Sequence, residues 1–426
     1  MSPGFSNKKE PNLLIDESAK GSIGNSDLIS TVNTRLVLEA VRTLGPTYRA
    51  EVARRTNLNP ATVTGIVTEL IGNGTLLEIP AEVEVSGRGR PPQMLQINAD
   101  AKYILAIDLE PDRIRIALLN LLLEVREYRE RRINRFSKPE RIWQQILGLY
   151  GDVSSGVVGN IPLQGVGVSL PGLIDMENGV MLGSTNMPKM VNVPIREMLE
   201  KEFSTPVYLE RSMHLASLYE AWARVDGFKG STMVITHRTG IGMSLMRNGE
   251  LYLGSRGYDG EIGHTVVDLN GERCECGSRG CLETIVSAGA ICRRVEQMLA
   301  KGRCEAIRRA CEGGAELHPE LVFRLAKSGD VDCMEIVREV GRYIGLAVAN
   351  MINVLAPDEV LICGSIDVAD ELVLESVSEQ IQQRALPQIR ENVVVRLAAA
   401  KELSPLLGAA VLVAKRMFEL PKLSHA

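Results

Sequence analysis

The hydrophobic pattern of this 426-residue chain changes near residue 98, and that change limits the folds that the chain can adopt. Between Thr31 and Asn98, apolar residues recur at helical spacing in three short segments. From Ala101 onward, groups of three strand-like segments followed by helices occur twice, a pattern typical of a two-lobed α/β body with a cleft between the lobes. The sequence therefore predicts a small helical domain at residues 31–98 and a larger body at residues 99–426.

The three short helical segments predict a helix-turn-helix. The first helix should end at Gly45, and the second should be capped by Thr47 and end at Asn57. The third should begin with Asn59 as its N-cap and Pro60 at its first helical position.

Two predicted strands, residues 76–79 and 93–97, flank a loop that reads SGRGRPP over residues 86–92 and would form a wing. Short side chains on the third helix allow close approach to the major groove, and the loop arginines suit the narrow minor groove of A·T-rich DNA. The candidate residues for binding double-stranded DNA are Arg49, Asn59, Ala61, Thr62, Thr64, Arg88 and Arg90.

Charge alone does not decide whether this domain binds DNA. Seven basic and six acidic residues give residues 31–98 a net charge of +1, and the whole chain carries −5. A dimerisation or protein-docking module is the alternative. Clustering of the arginines in the predicted binding helices and wing favours DNA.

The N-terminal residues 1–30 mix Ser, Gly, Asn, Asp and Lys, which predicts a disordered tail. This segment lacks the apolar core of a secretion signal, and no apolar run in the chain approaches the roughly 20 residues of a membrane-spanning helix. The sequence therefore predicts a cytoplasmic protein without a membrane partner.

In the body, residues 103–109, 113–119 and 124–133 predict a strand meander, in which two isoleucines alternate with Arg113 and Arg115 as in a half-buried strand. Further predicted strands are residues 165–169, 207–210, 233–236, 242–247, 360–363 and 393–397. Predicted helices are residues 139–150, 195–203, 215–225, 288–300 and 332–354.

Three of the eight cysteines lie close together, which suggests a metal site, whereas the other five are scattered and suggest reduced core thiols. The candidate ligands, here called the zinc group, are His264, Cys274, Cys276 and Cys281. One imidazole and three thiolates form a complete tetrahedral set for zinc with no open position, so the site would be structural. The alternative is a set of reduced surface thiols beside a core histidine.

The segment from Gly254 to Thr284 resembles the ROK family of repressors, open reading frames and sugar kinases. The resemblance lies in Gly-Glu-Ile-Gly-His at residues 260–264 and Cys-x-Cys-Gly-x-x-Gly-Cys at residues 274–281, with shorter matches at residues 169–172, 184–188 and 239–242. With the helix-turn-helix it covers roughly residues 31–420 and is similar to the repressor branch. It implies a two-lobed actin-like body of the ribonuclease H-like ATPase type that forms homodimers or homotetramers.

The resemblance also implies that a small carbohydrate binds in the cleft, through Asn186, Glu261, His264 and Glu283 at the matching positions. Paired carboxylates and an amide suit a polyol, because each carboxylate can accept hydrogen bonds from two adjacent hydroxyls. His264 would use one ring nitrogen for zinc and the other for the ligand. Alternatively, each glutamate is a solvated loop charge.

The chain departs from the kinases of the family at two places. Where kinases have Glu-Asn-Asp, with the Asp as general base, this chain has Glu210, Arg211 and Ser212, and a hydroxyl without a basic partner cannot take the proton. Where kinases have Asp-x-Gly-x-Thr for phosphate, residues 108–112 read Asp-Leu-Glu-Pro-Asp, which lacks the glycine and adds carboxylates. These differences predict a protein without kinase activity.

Arg211 stands where the family's asparagine helps to bind a neutral sugar. An arginine there favours an anion such as a sugar phosphate or sugar acid. It could equally pair with Glu210 or another cleft carboxylate, which would leave a site for a neutral sugar or no sugar site at all.

The sequence thus indicates a sugar-responsive transcriptional repressor with structural zinc. One alternative is a sugar kinase that retains a DNA-binding domain. Another is a regulator that responds to a protein partner instead of a sugar.

Overall fold

In the computed structural model, the structure describes residues 26–81, 93–156, 162–224, 230–254, 256–398 and 403–418. The chain divides into two compact units. The first comprises the chain up to Ile97 with the residues from Phe418 onward, and the second comprises Asn98–Met417.

The first unit contains three helices and a two-stranded antiparallel sheet, as predicted. They are α1 Ser26–Leu44, α2 Arg49–Thr56, α3 Pro60–Gly72, β1 Leu76–Pro80 and β2 Gln93–Ile97. Val37, Val52, Val67 and Leu76 are fully buried and belong to the core of this unit. Residues 26–30, expected in the disordered tail, are helical, since Ser26 and Asp27 are residue types that favour the first turn of a helix. The rest of the predicted tail lies outside the described residues.

Thr47 does not cap α2, contrary to the sequence prediction. Its backbone pairs with Leu95 of β2 through two hydrogen bonds of 3.0 and 2.6 Å, so it fastens the sheet to the helices. Tyr48 is the N-cap of α2, and its side chain makes no capping bond. The predicted end of α2 is confirmed, because Asn57 adopts the left-handed conformation with φ of 57°.

Lobe I of the second unit contains a five-stranded sheet in the order β5-β4-β3-β6-β9. Its elements are β3 Tyr103–Leu109, β4 Arg113–Asn120, β5 Val125–Arg132, α4 Pro139–Ser154, β6 Leu163–Leu170, β7 Leu173–Asp175, β8 Val180–Gly183, α5 Ile195–Phe203 and β9 Val207–Arg211. The short strands β7 and β8 form a separate hairpin.

Lobe II contains a second five-stranded sheet in the order β12-β11-β10-β13-β14. Its elements are α6 Ser212–Ala223, β10 Ser231–His237, β11 Ile241–Arg247, β12 Glu250–Tyr252, α7 Glu283–Val286, α8 Ala288–Ala300, α9 Glu305–Glu312, α10 Pro319–Lys327, α11 Val331–Leu355, β13 Glu359–Gly364, α12 Asp370–Arg384, α13 Pro387–Arg390 and β14 Val394–Leu397. The last helix, α14 Ser404–Phe418, returns to lobe I, where the Ala409 backbone lies against Gly167 of β6. Short 3-10 turns span Ile262–His264 and Ser365–Ala369.

The two sheets have the same topology, which confirms the predicted two-lobed α/β body. In each, the first three strands are antiparallel and the last two add in parallel beside the first strand. The first strands, β3 and β10, therefore occupy equivalent positions, and their carboxyl ends lie at the cleft. Among the described residues, none of the helices combines the length and apolar character needed to span a membrane.

One face of β4 differs from the expectation of a half-buried strand. Arg113 and Arg115 are buried together with the isoleucines, at 9% and 2% exposure. Their side chains face charged partners at the cleft instead of solvent, as described below.

Candidate functional site

The cleft between the two lobes brings together the five residues predicted to contact an effector. This effector group consists of Asn186, Arg211, Glu261, His264 and Glu283. The cleft encloses about 680 Å³, counting the part open to solvent, and is also lined by residues 109–111, 171–172 and 238–242. Both lobes contribute, because Asn186 precedes α5 of lobe I whereas Glu261, His264 and Glu283 belong to lobe II.

Three members of the effector group contact one another directly. The Asn186 side-chain amide donates to Glu283 Oε1 at 3.1 Å, and His264 Nε2 lies 3.5 Å from Glu283 Oε2. Gly240 allows this arrangement, because a Cβ there would lie 3.0 Å from Glu283 Oε1. An amide from lobe I thus meets an imidazole and a carboxylate from lobe II in the cleft.

Arg211 is buried, and its guanidinium is fully engaged by the protein. It donates to the carbonyls of Gly172, Gly257 and Asp259 at 3.2, 3.0 and 2.6 Å, and it forms an ion pair with Glu261. Of the two alternatives left open by the sequence, the structure shows the pairing with a cleft carboxylate.

His214, which sequence reasoning missed, fastens the loop that carries Glu261. Its Nδ1 lies 2.9 Å from Glu210 Oε1, and its Nε2 lies 3.2 Å from Asp259 Oδ2. Burial disfavours the charged imidazole, but the hydrogen bonds with Asp259 and Glu210 outweigh it and raise the pKa of His214. The carboxyl of Asp259 correspondingly has its pKa lowered to about 2 by His214 and the Gly254 amide, against the effect of burial.

The four members of the zinc group also come together, with their candidate ligand atoms all within 4.8 Å of one another. Cys274 Sγ lies 3.7 Å from His264 Nδ1, and Cys276 Sγ lies 3.7 Å from Cys281 Sγ. Three sulfurs and one nitrogen at these separations fit the donor set that zinc prefers. His264 faces the thiols with Nδ1 and the cleft carboxylates with Nε2, so it belongs to both groups.

A buried charged quartet lies in the cleft around the 108–112 segment, where the sequence departs from the kinases of the family. Its members are Asp108, Glu110, Arg115 and Arg238. Arg238 donates to both oxygens of Asp108, at 3.1 and 2.5 Å, and also binds Glu110. Arg115 binds the same two carboxylates from within lobe I.

Two further contacts cross the cleft beside the quartet. Arg113 of β4 lies 3.1 Å from Glu320 at the start of α10, and His318 Nε2 lies 3.4 Å from Asp112. Sequence reasoning missed all of these partners of the 108–112 segment. Arginines inside an otherwise apolar strand were the signal available, since buried charges need partners.

Ser212, at the kinase base position, lies at the start of α6 and lines the cleft. The neighbouring carboxylate of Glu210 is turned away, because its Oε1 accepts from the Arg211 amide at 2.8 Å and contacts His214. The carboxylate nearest in sequence is therefore committed to the protein.

In the first unit, the predicted DNA-binding residues divide into exposed and engaged ones. Ala61, Thr62 and Thr64 are exposed on the first turns of α3. The Asn59 side-chain oxygen caps α3 by accepting from the Ala61 amide at 2.9 Å, and Arg49 forms a 2.6 Å ion pair with Glu78. Arg88 and Arg90 lie outside the described residues.

Arg55 is exposed in the last turn of α2; it is one of the clustered arginines that favoured DNA binding but is absent from the candidate contact residues. Its neighbour Arg54 is paired with Glu51 at 2.5 Å. Helix periodicity does not distinguish the two, since residues three and four apart from Glu51 both lie near it on the helix surface.

The ROK family model matches residues 104–416. The chain belongs to the ROK family. This ROK protein is 30% identical over 407 residues to the xylose repressor of Caldicellulosiruptor bescii, a match that covers 94% of this chain and 100% of the repressor. It is 29% identical over 416 residues to the N-acetylglucosamine repressor of Escherichia coli O157:H7, covering 95% and 98% of the two chains.

Among solved structures, the ROK protein is similar to a ROK family transcriptional regulator described as a homologue of the E. coli MLC protein. The TM-score is 0.75 at 26% identity, and the match covers 92% of this chain and 97% of the other. The predicted fold is confirmed: a helix-turn-helix with two wing strands precedes a two-lobed actin-like body.

Proposed function

We propose that this ROK protein is a sugar-responsive transcriptional repressor that binds double-stranded DNA and has no kinase activity. The observation that carries the proposal is that its similarity to two named sugar repressors extends over 94% and 95% of the chain, so it includes the helix-turn-helix as well as the body. The DNA-binding domain corresponds to residues 31–98, to which the structure adds the start of α1, and the effector-binding and oligomerisation body corresponds to residues 99–426.

For DNA binding, the first turns of α3 enter the major groove with Ala61, Thr62 and Thr64 toward the bases. Arg55 contacts a phosphate from α2, and Arg88 and Arg90 reach the minor groove from the wing. The Arg49 guanidinium is already paired with Glu78, so its main role is to stabilise the domain and not to contact DNA. A two-fold homodimer, alone or within a homotetramer, presents two such helices to a palindromic operator.

For the effector, the geometry supports a small neutral carbohydrate rather than a sugar phosphate. The Arg211 guanidinium already has three carbonyls and Glu261 as partners, so it offers little positive charge to an anion. Glu283 and Asn186 present the acceptor and donor groups that a sugar hydroxyl needs.

For zinc, the ion would be held by the four members of the zinc group and would cross-link the loop between His264 and Cys281. With four protein ligands the site leaves no position for a reacting water. Its role is to orient His264 toward the cleft.

Phosphoryl transfer is disfavoured at both ends of the reaction. Ser212 has no carboxylate base at the end of β9, since Glu210 binds His214. On the phosphate side, the side chains of Asp108 and Glu110 are already bound to Arg238, and the 108–112 segment contains Pro111, which has no backbone amide to donate to a phosphate.

The function is tested by mobility-shift titration on the promoter region of the protein's own operon, with a panel of neutral pentoses, hexoses and amino sugars and their phosphates. We expect specific binding that one neutral sugar alters and its phosphate does not. The same panel in a coupled ATP-consumption assay should give no turnover. Turnover with any sugar would contradict the proposal, as would the absence of specific DNA binding.

A further inference from the structure

We propose that Arg238 is a positioning residue of the sugar site: by binding Asp108 and Glu110 across the cleft, it holds the turn at residues 239–240 against Asn186 and Glu283 without a nucleotide. This inference rests on the proposed function, because it concerns the same effector group. It gives the charged quartet a role in supporting the sugar site, in addition to replacing the phosphate-binding segment of the kinases.

The first support is the place of Arg238 in the fold. It directly follows β10, the first strand of lobe II, while Asp108 lies near the end of β3, the equivalent strand of lobe I. The Arg238–Asp108 contact therefore joins the carboxyl ends of two equivalent strands across the cleft. An ion pair at this point fixes one lobe relative to the other.

The second support is the burial of the quartet. The side chains of Asp108, Glu110, Arg115 and Arg238 are 0, 9, 2 and 7% exposed. Buried charges need partners in a fixed geometry, and removing one partner leaves an uncompensated charge. Without Arg238, the two lobe I carboxylates would share the single guanidinium of Arg115, and the ion pairs that join them to lobe II would be lost.

The third support is the direct path from Arg238 to the sugar site. Its backbone amide donates to the Gly240 carbonyl at 2.8 Å, which closes a tight turn. A Cβ on Gly240 would lie 3.0 Å from Glu283 Oε1 and 3.4 Å from the Asn186 side-chain nitrogen. The turn that Arg238 closes therefore lies directly beside the Asn186–Glu283 pair, so a change in the position of Arg238 alters the backbone next to that pair.

The fourth support is that neighbouring contacts also hold the two lobes together. Arg113–Glu320 and His318–Asp112 also join lobe I to lobe II at this mouth of the cleft. Together with Arg238 they hold the two lobes together at residues 108–113.

The test compares Arg238→Gln with Arg238→Lys, which keeps the charge, and with Asp108→Asn on the other lobe. Arg224→Gln is the matched control, because Arg224 makes a similar two-bond ion pair with Glu359 outside the cleft, at 2.9 and 3.1 Å. Each protein is titrated calorimetrically with the sugar that stabilises the wild type in a thermal-shift panel. Hydrogen exchange at residues 239–242 is measured on the sugar-free proteins.

We expect Arg238→Gln and Asp108→Asn to lose sugar affinity by at least about tenfold, and Arg238→Lys to stay within about threefold of wild type. Exchange at residues 239–242 should accelerate in the first two variants and not in Arg224→Gln. A purely structural role would lower the melting temperature while leaving the affinity and this exchange unchanged.

Wild-type affinity together with wild-type exchange in folded Arg238→Gln would overturn the inference. If Arg238→Gln does not fold, the same two readouts in Asp108→Asn decide it. If no sugar binds the wild type, the effector part of the proposed function fails, whereas the exchange comparison still decides whether Arg238 holds the turn.

Discussion

Replacement of Glu283 by alanine should abolish most of the sugar affinity while leaving zinc and DNA binding in place. The side chain is 14% exposed and holds Asn186 at 3.1 Å, so its carboxylate is oriented before a ligand arrives. A charge-assisted hydrogen bond contributes about 1.5–3 kcal/mol, which corresponds to roughly a 10- to 150-fold change in affinity for one sugar hydroxyl. Loss of the carboxylate also removes the partner of the Asn186 amide, so the effect should lie toward the upper end.

Isothermal titration calorimetry gives the affinity, and plasma emission gives the zinc content. Glu283→Gln should be intermediate, because the amide keeps the size and one acceptor but loses the charge. Glu272→Ala is the matched control: it removes a 69% exposed glutamate from the zinc-binding loop and should bind sugar like the wild type. Operator affinity without sugar should be unchanged in all three variants.

Unchanged sugar affinity in Glu283→Ala with zinc retained would show that the effector group is assigned wrongly. Lost zinc would instead indicate that Glu283 acts through His264, which lies 3.5 Å away.

Three further predictions concern stability. Gly167→Ala should destabilise the body by more than about 3 kcal/mol, because the added Cβ would lie 2.5 Å from the backbone carbonyl carbon of Ala409. Gly151→Ala, where an added Cβ meets no other atom, should stabilise α4 by about 0.5–1 kcal/mol. Urea denaturation measures both changes in the free energy of unfolding. Cys276→Ser should lower the zinc content from about one ion per chain to none and lower the melting temperature of the body, and zinc retained in this variant would contradict the closed site. Burial raises the pKa of Glu110 to about 7 despite the nearby arginines, so the folded chain binds this proton more tightly than the unfolded chain with its value of 4.5. The free energy of unfolding should therefore fall as pH rises from 4.5 to 7, and denaturation of Glu110→Gln across that range should show a smaller fall.

Sequence periodicity predicted most strands of the two five-stranded sheets and helices α4, α5, α6, α8 and α11, because each buries one regular face, but it missed helices α9, α10, α12 and α14. It did not predict β7, β8 and β12, which have three or four residues and too few alternations to be recognised. Thr47 illustrates a second limit: a residue type that favours helix caps was used in a bridge to Leu95, distant in sequence, and local propensity cannot report such pairing.

The zinc group could be predicted from the spacing of its cysteines and histidine, and the effector group from the resemblance to the family. The charged quartet could not, because Arg115 and Arg238 are far apart in sequence and meet only when the equivalent strands β3 and β10 face each other. Strand alternation instead placed Arg115 on a solvent-facing side. Whether the Arg211 guanidinium is free to bind an anion could not be predicted either, because three of its partners are backbone carbonyls that no sequence pattern marks.

The same interlobe contacts determine how strongly a sugar can act on DNA binding. The effector group draws Asn186 from lobe I and Glu261, His264 and Glu283 from lobe II, so a sugar that contacts both favours the joined arrangement through its higher affinity for it. Arg238 favours that arrangement before any sugar binds. The sugar can then act only on the fraction of molecules whose lobes are not already joined by the ion pairs. A typical coupling free energy of about 1–3 kcal/mol limits the change in operator affinity to roughly 5- to 150-fold. Weakening the ion pairs should therefore reduce sugar affinity and, at saturating sugar, increase the ratio of operator affinities with and without the sugar.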